Sequence, residues 1–189
     1  MAKDTFTLFS TARILLEEYT DWLHQLNAVI TPDSPEDARL SKDVRHVWVS
    51  LLNEEWFNMT IAEFEDQPEV LAKIRQLLDG EPRSAIVLIA NSVEGSKILA
   101  VQFAALCAEH YPCVVLQSAG QALFPAQKLL KYRDAGMGFD GFTWETADPA
   151  RPFSWDDFGI GEELRDTSKD QMLVRSDTSE GQHKEQLGA

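Results

Sequence analysis

The sequence predicts an α/β fold, with an α+β arrangement left open, and the stretch from Ser84 to Ser118 carries that prediction. Two short apolar runs, Ala85 to Ala90 and Cys113 to Leu116, are rich in β-branched residues, as strands covered on both faces require. Between them, Ile98 to Ala108 is helical in pattern and apolar on nearly every side. Lys97, Gln102, Glu109 and His110 are its polar exits, so this helix needs partners around most of its circumference. Helices before and after this strand-helix-strand core predict one three-layer-like domain over residues 1–160. Residues 161–189 carry no aromatic side chain and have the composition of a disordered acidic, polar tail.

The elements follow in chain order. Residues 5–9, TFTLF, alternate as a short edge strand would, ahead of Ser10 as a helix N-cap. Leu15, Tyr19, Trp22, Leu26 and Val29 form the stripe of an amphipathic helix over 11–29. The Pro- and Asp-rich segment 31–43 reads as a surface loop. In 44–52, Val47, Val49 and Leu51 share one face and His46 and Trp48 the other, which predicts a strand. Asn53, Glu54 and Glu55 then read as a turn, and Phe57, Met59 and Ile61 as one face of a returning strand, so 44–61 is a candidate β-hairpin; a continuous helix from Val47 is the rival.

Asp66, Pro68 and Glu69 resemble the start of a helix whose apolar set is Val70, Leu71, Ile74, Leu77 and Leu78, ended by Gly80. After the central unit, whose two strands are expected to pair in parallel, another helix starts at Pro125 and stops at Gly136. Phe139, Phe142 and Trp144 are read as a last strand.

A formal charge of −14, from 31 acidic against 17 basic residues, argues against nucleic acid and anionic membrane as partners, because both attract Lys and Arg clusters. It favours a basic protein partner. Cys107 and Cys113 lie in apolar surroundings and read as unpaired thiols of a reducing compartment. No apolar run is long enough to cross a bilayer, and the expected location is cytoplasmic. His24, His46, His110 and His183 lack ligand spacing, and neither metal nor cofactor is called for.

Two candidate surfaces remain. The loops after the central strands, with Ser92, Gly95 and Ser96 on one and Ser118, Gly120 and Gln121 on the other, would frame a ligand crevice if those strands pair in parallel. The first loop lacks any phosphate-binding signature, and Glu94 would repel an anion; a cap at Ser92 or Ser96, with Gly95 allowing the turn, accounts for it. A small enzyme or nucleotide-binding module built on these loops is the alternative function, but no catalytic constellation can be named.

The second candidate is a pair of acidic, aromatic stretches. Residues 54–69 carry Glu54, Glu55, Glu63, Glu65, Asp66 and Glu69 with no Lys or Arg, interleaved with Trp56, Phe57 and Phe64. Residues 140–166 carry Trp144, Trp155, Asp156 and Asp157 among further acids and rings. Aromatic anchors ringed by carboxylates describe a surface for a basic protein. The favoured expectation is therefore an acidic binder of the immunity type, neutralising a basic nuclease or toxin domain; the competing account makes the rings core and the acids a solvated face.

Overall fold

The first strand of the chain, β1 (Asp4–Ser10), runs through the middle of a sheet rather than along its edge. In the computed structural model, which describes residues 4–42, 45–91, 95–119 and 122–141, it is hydrogen-bonded on both sides. Its neighbours are β5 (Ser84–Ala90) and β6 (Cys113–Gln117), both antiparallel to it. The two apolar runs are thus parallel to each other but do not pair, because β1 lies between them. The alternating TFTLF sequence is buried on both faces, as a central position demands.

Around this centre, β2 (Val29–Thr31), β3 (Ser34–Lys42) and β4 (Arg45–Leu51) extend the sheet beyond β5, and β7 (Ala122–Pro125) extends it beyond β6. The order is β2-β3-β4-β5-β1-β6-β7, with every pairing antiparallel. Helices α1 (Leu16–Gln25), α4 (Ser96–His110) and α5 (Ala126–Asp134) pack on one face, and α2 (Glu54–Glu63) and α3 (Pro68–Leu78) on the other. An α/β class with three layers is what the sequence predicts, although the sheet is antiparallel. All described residues fall in one unit, Ala2–Arg151; the expected tail at 161–189 lies outside them.

Several elements differ from expectation for local reasons. The segment expected as a loop is mostly β3, which pairs with β4 so that Ala38 and Leu40 meet Val49 and Val47 on the inner face. The hairpin partner of β4 is therefore the strand before it. Residues 56–61 are helical: Asn53 caps α2 by accepting the Trp56 N–H at 3.0 Å, with Glu54 and Glu55 in the first turn, so the turn signal is a helix start.

Helix α1 begins at Leu16 because Ser10 is the last residue of β1, where its hydroxyl donates to the Pro112 carbonyl at 2.8 Å. It ends before Asn27, which takes the left-handed conformation (φ 53°), and Val29 opens β2. In α3 the left-handed cap is Asp79 (φ 52°), whereas Gly80 lies against the Thr11 side chain; Gln67, rather than Asp66, is the N-cap. Phe139 is not in a strand but buried, stacked on Phe6 at 4.2 Å. Phe142 and Trp144 lie outside the described residues.

The α4 face holds most of the core. Phe6, Leu8, Val47, Val49, Ile86, Leu88 and Val115 from the sheet meet Leu99, Val101, Phe103 and Cys107 of α4 and Tyr19, Trp22 and Leu23 of α1. The opposite face has a smaller cluster around Phe9, Ile74, Leu78, Ala85, Val114 and Leu116.

Candidate functional site

Helix α2 attaches through one flank only. Phe57 and Ile61, followed by Phe64, fall at helical spacing and pack partly buried on the smaller cluster, yet no residue of the helix itself is fully buried. Its outer flank carries Trp56, 57% exposed, and Met59, 49% exposed. Glu54, Glu55, Glu63, Glu65, Asp66 and Glu69 are all exposed around them. Of the rings in this stretch, Phe57 and Phe64 turn inward and Trp56 turns outward.

Beside α2, among the described residues, no helix covers the β2–β4 half of the sheet. The register aligns Val29, Arg39, Trp48 and Ile89 in one row across four strands. Trp48 is 43% exposed, with the Arg39 guanidinium over its ring at 5.7 Å. His46, on the same face of β4, has its pKa lowered by partial burial and by the nearby Arg39 charge.

The other candidate residues are distributed differently. Gly95 is the N-cap of α4 with φ 89°, a conformation that glycine adopts without strain. Ser96 is fully buried and makes no cap bond; its Oγ accepts the His46 N–H at 3.3 Å, tying α4 to β4. Ser118 is exposed, and its N–H donates to the Thr5 carbonyl at 3.0 Å. The loops are separated by the start of β1, and Lys97 bridges Asp4 (2.7 Å) and Asp140 (3.7 Å) there. Gly138 approaches the Ile98 nitrogen so closely that a Cβ would stand 3.0 Å from it. The parallel pair from which the crevice was expected does not form, because β1 lies between the two strands. Ser92, Gly120, Gln121, Trp144, Trp155, Asp156 and Asp157 lie outside the described residues.

Cys107 and Cys113 are unpaired and buried. Burial raises both thiol pKa values, that of Cys113 to about 12, so neither is a thiolate near neutral pH. His110 stacks on Trp22 at 5.4 Å, near the C-terminus of α4. Among the described residues, no helix is long and apolar enough to cross a membrane.

A cavity of about 550 Å³ opens at the end of the sheet where β1 and β4 finish and β5 begins. Arg13, Arg83, Glu36, Glu54, Asn53, Phe57 and their neighbours line it. Sequence reasoning missed it because Arg13 and Arg83 come to one cavity only through the long-range pairing of Ser10 with Ser84. Compared with known proteins, the chain matches no family model, no curated protein and no solved structure.

Proposed function

We propose that this chain is an acidic protein-binding module, an immunity-type inhibitor whose α2 docks on a basic nuclease or toxin domain. The observation that carries the reading is the outer flank of α2: an exposed Trp and Met set among six exposed carboxylates, with no Lys or Arg from 54 to 69. A nucleic-acid enzyme keeps a cationic groove for phosphates. Carboxylates of an inhibitor reach the same groove, steered by long-range attraction, and a desolvated Trp supplies affinity. The acidic stretch with Trp144, Trp155, Asp156 and Asp157 would add to that field. Neutralising such a domain inside the producing cell puts the protein in the cytoplasm, where two unpaired buried thiols are at home.

The test is affinity capture with the full chain at low ionic strength, followed by a salt gradient and kinetics on the purified partner. The expected partner is basic, carries nuclease or toxin activity that this chain inhibits, and elutes steeply with salt. Trp56→Ala should speed dissociation, and Glu63→Lys with Glu65→Lys should slow association about tenfold or more. A captured partner that binds all variants equally removes α2 from the interface, and failure to capture a basic partner at any salt overturns the reading.

A further inference from the structure

The cavity at the β1, β4 and β5 end of the sheet carries a charge arrangement that shares only Glu54 with the α2 surface. Four charged side chains line it, and none has an ion pair or side-chain hydrogen bond among the described residues: Arg13, Arg83, Glu36 and Glu54. The sheet order segregates them by sign. Glu36 belongs to β3 and Glu54 follows β4, whereas Arg83 immediately precedes β5 and Arg13 follows β1. One to three strand spacings, about 5–14 Å at the backbone, therefore separate an acid from an arginine, the widest being Glu36 to Arg13.

Helix α1 begins at the cavity wall with Leu16, and its first turn is already served by acids of its own, Glu17 and Glu18, the Glu18 carboxylate accepting the Leu15 N–H at 3.2 Å. The basic pole is therefore the two arginines alone. The uncharged lining is mixed, with Leu51, Leu52, Phe57 and Pro82 beside Asn53 and Asn58. In a chain of net charge −14, two unpaired arginines brought to one cavity from the ends of adjacent strands need a physical account.

We propose that this cavity binds a small zwitterion, a short peptide with free termini, holding its carboxylate at Arg13 and Arg83 and its ammonium group near Glu36 and Glu54. The volume suits a molecule of that size. An extended tripeptide spans about 10 Å, so with the reach of the protein's side chains it connects Glu36 with Arg13 across the full width, whereas a free amino acid reaches only between the neighbouring Glu54 and Arg83. The apolar part of the wall accepts its side chains. The proposal does not rest on docking at α2: Trp56, Met59 and Glu63 do not line the cavity.

The experiment is a titration of the full chain by calorimetry and amide NMR with Ala-Leu-Ala, its N-acetyl form and its C-terminal amide. Saturable binding of the free tripeptide is expected, with shifts at Leu16, Asn53 and Arg83, and each blocked form should bind at least about tenfold more weakly. Arg13→Gln with Arg83→Gln should weaken the free peptide to the level of its amide, and Glu36→Gln should reduce discrimination against the N-acetyl form. All three side chains are solvent-accessible, and circular dichroism melting checks that the variants fold. Absence of saturable binding at millimolar peptide, or equal binding of all three peptides, overturns the proposal. So does a site that takes inorganic phosphate but no peptide, which would make it an anion site.

Discussion

On the α1, α4 and α5 side of the sheet, side chains from six strands and three helices merge into one continuous buried cluster. On the α2 and α3 side, burial is confined to β1, β5, β6 and α3, while α2 contributes no fully buried residue and half of the sheet carries Trp48 and Val29 toward solvent. On this second side Trp56, Met59, Trp48 and Val29 keep their apolar surface exposed. That is the property expected of a face kept for other molecules, since monomeric folds tend to bury rings that they can bury.

The contrast can be broken by mutation. Phe103→Ala removes a fully buried ring from α4 and should cost about 3–5 kcal/mol in urea unfolding, whereas Phe57→Ala on α2 should cost about 1–2 kcal/mol. Equal losses would mean that α2 is as structural as α4. Asn53→Ala deletes the cap of α2 and should cost about 1 kcal/mol, with faster amide exchange confined to that helix.

A smaller effect is pH-dependent. The folded protein holds His46 below its ordinary value, so the unfolded chain binds that proton more readily. The contribution of His46 is complete above the unfolded value of about 6.5 and is lost as pH falls through it toward the lower folded value. His46→Gln should therefore flatten the acid side of the stability profile, as melting scans between about pH 7 and 5 would record. Smallest of all, Trp56→Ala and Met59→Ala should each change stability by less than about 0.5 kcal/mol, leaving α2 intact while altering only what it binds. A large loss at Trp56 would sharpen the comparison against the docking reading.

How far the fold was legible depended on the range of the interaction that decides each element. Strands β5 and β6 and helices α3 and α4 are set by local apolar pattern, and these agree closely with the sequence reading. The place of β1 in the sheet is not a local property; TFTLF alternates equally well at an edge or in the centre, and only pairing with β5 and β6 decides. In β3 the Pro and Asp residues hid a strand whose sole signal is Ala38 and Leu40 alternating with Arg39 and Ser41.

Segment 56–61 satisfied both periods: Phe57, Met59 and Ile61 at two, and Phe57, Ile61 and Phe64 at helical spacing. The Asn53 cap with acids behind it was the deciding cue. The acidic stretch of the candidate surface was visible from composition, but which ring faces outward was not, because Trp56 and Phe57 are adjacent and only helix phase separates them.

The central position of β1 also sets a timetable. Ser10 and its acceptor Pro112 are 102 residues apart, and β5 likewise arrives long after β1 has been made. At roughly 5–20 residues per second of synthesis, the TFTLF segment waits about 5–20 s before β6 exists to cover its second edge. During that interval an apolar strand with unpaired N–H and C=O groups is a template for other chains. Such a nascent chain is expected to engage a holdase chaperone early, and the slow step of refolding should be the insertion of β1 between β5 and β6.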